Sequence, residues 1–308
     1  MEPAEMDVCP VHVTVVTCNR LELTKRCLCS LLARTEGKFS VQVVDNASSD
    51  GTWPFLQRLA QEDDRIRVTR LARNMGVAVA ANYGWAQRED AFHLKLDNDV
   101  EILAGDWLAL LLEYARECPG LGALGYRFLS RHVVTPVRLP GGRPFWSFET
   151  CGGACVLIPP AVHGRLGFWN EDYGKYGFED MEYSLRCRLL SLSTGYVPLE
   201  NRVRHLGYER PEHTYEERKH AQVASGLSGE KAYFLNKLLF EEGVRPLKVE
   251  RRFLPIAGTD PVRFGPNPAY AGMVRFLNSL RHGVGFSREG ETVRLDMSRW
   301  KTAREQDR

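Results

Sequence analysis

Asp97-Asn98-Asp99 is where the residue types and spacing of this sequence point most directly to chemistry. Two carboxylates two residues apart, directly after the apolar run 91–96, can divide the labour: one accepts hydrogen bonds from a ribose, the other holds a hard divalent cation. Mg²⁺ or Mn²⁺ bound by one or two carboxylates fills its remaining positions with phosphate oxygens and water. Such a triplet arises by chance in many chains, so its place after a strand is what gives it weight. A second signal is Phe178-Glu179-Asp180, which opens a stretch whose Tyr183, Leu185 and Leu189 follow a helical pattern. Acids in the first turn of a helix are commonly there to cap it and oppose its dipole. The competing reading makes Asp180 a general base, with Glu179 fixing its position or binding an acceptor. His205, in Val203-Arg204-His205-Leu206-Gly207, is by itself most simply a core or surface histidine.

Carboxylates at positions 97–99 and 179–180 act together only if a scaffold brings strand ends to one place. The first 200 residues alternate short β-branched runs with amphipathic stretches, the pattern of βαβ units and an α/β fold with a mostly parallel sheet. Strands are expected at 11–16, 41–44, 65–71, 91–96, 121–126, 154–158 and 195–199. Helices are expected after residue 21, after Asp50 as N-cap, and over 77–87, 108–118 and 179–190. Residues 130–147, rich in Pro and Gly, read as a loop or hairpin. From residue 216 the text becomes helix-rich and basic, with a helix at 231–241 and a terminal hairpin over 284–297, around Glu289-Gly290. This divides the chain into a catalytic unit, 1–210, and a helical C-terminal extension, 211–308. In open α/β sheets ligands sit beyond the carboxyl ends of the strands, where Thr17-Cys18-Asn19-Arg20, Asp45-Asn46-Ala47-Ser48 and Arg73-Asn74-Met75-Gly76 accompany the acidic triplet. Neither GxGxxG after the first strand nor GxxxxGK[ST] is present, which argues against a dinucleotide site and a P-loop.

The 308 residues are 44% hydrophobic and 26% charged with a formal net charge of +2, which excludes a disordered or collagen-like chain. No apolar stretch approaches the roughly 18 residues a membrane span needs, and the start lacks the basic and apolar regions of a signal peptide. A cytoplasmic location is expected, with a place at the inner face of the membrane left open. Eight cysteines without a CxxC read as free, mostly buried thiols. Residues 201–308 hold 20 Lys and Arg against 14 Asp and Glu. That skew reads as a solvated basic tail or as a surface for an anionic acceptor or lipid headgroup, a peripheral membrane contact. Nucleic-acid binding is poorly supported, because the basic excess is modest and no aromatic-basic segment appears.

Taken in order, Thr-Cys-Asn-Arg, Val-Val-Asp-Asn-Ala-Ser-Ser-Asp-Gly-Thr, Arg-Asn-Met-Gly-Val-Ala-Val-Ala-Ala-Asn-Tyr-Gly, Leu-Asp-Asn-Asp, Cys-Gly-Gly-Ala and Gly-Phe-Glu-Asp resemble family 2 glycosyltransferases of the GT-A fold over roughly residues 11–240. The likeness is strongest to bacterial enzymes of surface-polysaccharide synthesis, including rhamnosyltransferase-like members. It implies an inverting transfer of a sugar from a UDP, dTDP or GDP donor to a glycan, lipid-linked or protein acceptor, assisted by Mn²⁺ or Mg²⁺. By the same resemblance Thr17, Asn19, Arg20, Asp45, Arg73 and Asp97 would bind the nucleotide, and Asp99 and His205 the metal. Gly152, Gly153 and Trp146 would face the acceptor or sugar, and Asp180, with Glu179 beside it, would be the base. Asn170, where relatives often have Asp, and the glycine-rich Tyr173-Gly174-Lys175-Tyr176-Gly177 depart from the pattern, and residues 245–308 match nothing familiar. The alternatives are a sugar-phosphate nucleotidyltransferase, whose usual glycine-rich first loop is missing from 17–20, and a non-catalytic nucleotide-sugar-binding protein, which would be expected to have lost one of the acids.

Overall fold

The computed structural model describes residues 10–129, 133–199, 201–209, 227–283, 285–289 and 292–296. The first half alternates as its periodicity dictates: β1 (Val11–Thr17), α1 (Leu21–Arg34), β2 (Ser40–Asp45), α2 (Thr52–Glu62), β3 (Ile66–Arg70), α3 (Val77–Trp85) and β4 (Phe92–Asp97). Next come β5 (Val100–Ile102), α4 (Trp107–Glu117), β6 (Leu121–Gly125), the hairpin β7 (Thr135–Arg138) and β8 (Pro144–Ser147), β9 (Cys155–Ile158), α5 (Pro160–Leu166), α6 (Glu179–Leu189), β10 (Ser193–Tyr196) and β11 (Val203–His205). The chain ends with α7 (Leu206–Glu209), α8 (Leu227–Glu241), β12 (Phe253–Pro255), β13 (Phe264–Pro266), α9 (Ala271–Gly283) and the hairpin β14 (Gly285–Glu289) and β15 (Thr292–Asp296).

Nine strands form one sheet in the order β3-β2-β1-β4-β9-β6-β10-β8-β7, with β1 to β4 mutually parallel and β9 antiparallel to both its neighbours. The connections run outward from β1 to β3, then return to the other side of β1 with β4. That reversal opens a crevice at the carboxyl ends of β1 and β4, where such sheets take their ligands. Apolar side chains fill both faces. Val13, Val15, Leu28, Leu31 and Trp107 pack on one, and Ala81, Trp85, Trp169 and Tyr183 on the other, so the central strands are buried on both faces even where His12, Thr14, His93 and Lys95 alternate with their apolar residues.

Several boundaries differ from expectation for local reasons. Asp50 is one residue outside the cap of α2, which falls on Gly51, yet its Oδ1 still accepts from the Thr52 N–H at 3.0 Å. The strand expected at 195–199 lies at Ser193–Tyr196, because Pro198 can donate no ladder hydrogen bond. The 130–147 excursion is a hairpin joined to the sheet edge, with residues 130–132 outside the described residues. The terminal hairpin is present as β14 and β15, its expected turn residue Gly290 again outside them. Seven described cysteines are free thiols, five of them buried. Among the described residues no helix is long and apolar enough to cross a membrane.

The basic C-terminal segment is more than a solvated tail. Val249 bridges Gly167 and Val262 bridges Leu71. Arg245, 3% exposed, donates to Asp172 Oδ2 at 3.2 Å and to the Tyr270 hydroxyl, while Arg252 pairs with Asp172 Oδ1 at 3.1 Å.

Candidate active site

Parallel registry sets the site. Thr17 lies opposite Asp45 and Val16 opposite Asp97, so the loops that follow β1, β2 and β4 emerge side by side. After Asp97 the chain turns into β5, and antiparallel pairing of β11 with β5 puts His205 opposite Val100, next to Asp99. One ligand atom from each of Asp97, Asp99 and His205 lies within 4.8 Å of the others. Two carboxylates and an imidazole form a donor set suited to Mn²⁺ and, through the oxygens, to Mg²⁺. Gly207 permits this closeness: a Cβ there would stand 2.5 Å from Asp99 Oδ2 and 3.2 Å from His205 Cε1.

The acids carry protein counter-charges. Arg20 Nη1 donates to Asp99 Oδ2 at 2.8 Å, both side chains being buried, and the Lys95 ammonium pairs with Asp97. His205 is oriented by Tyr208, whose ring stacks on it at 3.8 Å and whose backbone N–H donates to Nδ1 at 3.2 Å. An Nδ1 that accepts leaves the proton of the neutral ring on Nε2, and Nε2 stands 3.4 Å from Asp99 Oδ1. In this conformation Nε2 faces Asp99 at ion-pair distance. Offering Nε2 to a cation requires the proton to move to Nδ1 and the Tyr208 bond to open.

Beside this cluster lies a cavity of about 370 Å³ whose wall includes Lys95, Asp97, Tyr126, Gly152, Gly153, Glu179, Asp180, Tyr196 and Tyr208. Asp180, half-buried at the start of α6, is fixed at both oxygens: Oδ2 accepts from the Gly153 N–H and Oδ1 from the Met181 N–H, each at 2.8 Å. Burial pushes the carboxyls of Glu179 and Asp180 up, and their adjacency raises Glu179 further. The Lys95 charge opposes the rise at both.

The sequence-derived residues divide between this cavity and its surroundings. Asp97, Gly152, Gly153, Glu179 and Asp180 line the cavity, and Asp99 and His205 lie buried behind it. Thr17 is 1% exposed and its hydroxyl meets Thr24, Asn98 and the Asn19 carbonyl, so it holds the loop together. Asn19 does likewise, accepting from the Ser49 N–H at 2.8 Å. Asp45 is fully buried, accepts from the Ser48 N–H at 3.0 Å, and has its carboxyl pushed up by burial. Arg20 is committed to Asp99. Arg73 lines a separate groove with Lys175 and Arg252. Trp146 is not on the cavity wall; it lies on β8 beneath the Arg127 guanidinium, and Phe148 and Glu149 hold the wall instead. Lys95 escaped notice although its charge interrupts the apolar run Phe-His-Leu-Lys-Leu of β4, a readable signal. Tyr126, Tyr196 and Tyr208 carried none, since aromatic residues beside strands are ordinarily core.

Residues 12–149 match the family model for glycosyl transferase family 2. Over that stretch, a little under half of the chain, the sequence is similar to family 2 glycosyltransferases. The match ends before Asp180 and His205, which the tertiary structure returns to the same crevice. An uncharacterised protein of Sinorhizobium fredii is 25% identical over 214 residues, 61% of this chain, which spans only 23% of that longer protein. The N-acetylglucosaminyl-diphospho-decaprenol L-rhamnosyltransferase of Mycobacterium tuberculosis is 28% identical over 240 residues, covering 65% of this chain and 76% of the enzyme. Among solved structures, a mannosyltransferase from Pyrobaculum calidifontis in complex with GDP-Man and Mn²⁺ aligns with a TM-score of 0.57 at 17% identity, over 88% of this chain and 69% of that one. This likeness establishes that the domain shares the GT-A architecture.

Proposed function

We propose that this chain is an inverting glycosyltransferase that moves a sugar from a nucleoside-diphosphate sugar to an acceptor hydroxyl in bacterial polysaccharide synthesis. The observation that carries this is Asp180, its two oxygens held by backbone N–H groups and its carboxylate on the wall of the cavity that Asp97 also lines. A carboxylate so held can take the acceptor's proton as the hydroxyl attacks the anomeric carbon, and one displacement from the face opposite the leaving group inverts that centre. Glu179, on the same cavity wall, would position the base or bind the acceptor, and Gly152 and Gly153 would bring backbone to the sugar's side of the cavity. Asp97, with Thr17, Asn19 and Asp45 shaping the loops around it, would meet the nucleoside. Asp99, with Asp97 and His205, would hold Mn²⁺ or Mg²⁺, which when bound supplies positive charge to the departing diphosphate.

The nucleotide sugar and Mn²⁺ held by the mannosyltransferase neighbour, and the lipid-linked acceptor named in the rhamnosyltransferase relative, favour the same classes of donor, metal and acceptor here. The family match favours transfer over the nucleotidyltransferase alternative. Division of the chain at residue 210 and contact of its basic extension with a membrane belong to the same proposal, and sedimentation with anionic vesicles checks the latter. Nucleotide release from a panel of UDP-, dTDP- and GDP-sugars, with Mn²⁺, Mg²⁺ or EDTA and a lipid-linked glycan acceptor, tests the class and the donor together. Turnover of one donor that requires the acceptor is expected; release from none, with the protein folded, would overturn it.

A further inference from the structure

The two acids of the triplet are each held by a cation of the protein's own: Asp99 by Arg20, Asp97 by Lys95. Lys95 is 2% exposed, its ammonium 5.9 Å from the centre of the Trp169 ring, and among the described residues it is the only Lys or Arg on the cavity wall. A lysine buried in the middle of a sheet strand, beside the cavity rather than in solvent, is costly unless its charge is used. Arg20 reaches its place because residues 19 and 20 both adopt left-handed backbone, with φ of 60° and 64°, turning the side chain back over the end of β4.

We infer that Arg20 and Lys95 are built-in counter-cations that guard Asp99 and Asp97 against a divalent cation until a nucleoside diphosphate arrives, making metal and nucleotide binding strongly interdependent. This rests on the metal-assisted reading above. Within these two pairs, two acids and two cations cancel. A divalent cation entering alone meets the two cations already on these acids, and a diphosphate entering alone meets acids already occupied by those cations. Together they cancel, and Arg20 and Lys95 can turn from carboxylate to phosphate oxygens, for which a guanidinium and an ammonium are equally suited. The coupling is reciprocal, so each ligand raises the affinity of the other by the same factor.

The two substitutions Lys95→Met and Arg20→Met therefore have opposite effects on the two ligands, which a merely structural role would not produce. With the full chain, Mn²⁺ titrated alone and followed by electron paramagnetic resonance should bind about tenfold tighter to either variant than to wild type, the lower end of what one unit charge a few Å away is worth. UDP, GDP and dTDP titrated calorimetrically in EDTA should bind about tenfold weaker, and Lys95→Arg should behave as wild type in both. Should Lys95→Met fail to fold, Arg20→Met carries the same two readouts. If wild type binds Mn²⁺ with nucleotide but both variants bind Mn²⁺ alone no tighter than it does, the guarding role is wrong and the metal reading stands. If wild type binds no Mn²⁺ under either condition, the metal reading fails and this inference falls with it.

Discussion

Asp180 separates chemistry from stability more cleanly than any other side chain in this protein. Both its oxygens accept backbone N–H groups, so Asp180→Asn removes the proposed base while one of those two N–H groups must face an amide NH₂. A base that acts only on the acceptor hydroxyl contributes in the transition state and little to donor affinity. The substitution should therefore leave nucleotide binding within a few-fold while kcat falls by roughly 10² to 10⁴. A residue that served only as a helix-start charge would cost about 0.3–1 kcal/mol of stability and leave turnover nearly intact. Melting temperature and turnover measured on one preparation distinguish the two. The proposed metal site yields a second contrast. Asp99→Ala should abolish the metal dependence of nucleotide binding, since it removes a charged ligand and frees Arg20. His205→Ala should weaken that dependence less, because the ring lends one neutral atom and must first give up its Tyr208 bond. Calorimetry with Mn²⁺ against EDTA reads both, and an equal loss in the two variants would refute the ranking.

Elements far apart in the chain supply the site through packing that is itself testable. Gly207→Ala places a methyl against Asp99 where no space exists, so it should reduce Mn²⁺-supported nucleotide binding with a small change in melting temperature; unaltered binding would mean that α7 can shift aside. The C-terminal segment is anchored by a buried ion pair, and breaking such a pair leaves an uncompensated charge. Arg245→Met should cost about 3 kcal/mol in denaturant unfolding, and adding Asp172→Asn should restore a good part of it. Equal stabilities for single and double variants would show that Arg252 alone suffices for Asp172. Neither contact was legible in the sequence. Arg245 reads as one more basic residue in a basic tail, and nothing beside Gly207 in the sequence marks it, because what each touches lies about seventy to a hundred residues away.

For the protein as a whole, acid should be destabilising for a reason centred on one buried cluster. His93 and His163 have rings 4.4 Å apart beside Trp85, and burial lowers them to about 2 and about 4, with His12 lowered as well. They are neutral in the folded protein. As pH falls below 6.5 the unfolded chain binds protons that the folded one refuses, so stability drops, down to about pH 4 for His163 and pH 2 for His93. Burial raises Glu171 to about 7, which has the opposite slope: its contribution is lost as pH rises from 4.5 through about 7. The two effects oppose each other between pH 4.5 and 6.5, and the histidines prevail below. His93→Leu, which also removes two buried ring nitrogens that lack partners, should gain up to about 3 kcal/mol more over wild type at pH 4 than at pH 7. A difference in melting temperature that is the same at both pH values would rule out His93 as the source.

The α/β alternation, most strand and helix positions and the acids Asp97, Asp99 and Asp180 were readable from residue order alone, because period-two and helical patterns and strand-end polar residues are local properties. Local too was the charge of Lys95 inside β4. Three-dimensional pairing decided the rest. Only the antiparallel registry of β11 on β5 shows that His205 meets Asp99, and only the turn after β1 gives Arg20 to Asp99 rather than to open solvent. The same loops direct Arg73 to a neighbouring groove, and β8 turns Trp146 away from the cavity. Which charge lies against which depends on the distance between strands in space, and spacing along the chain carries no information about that distance.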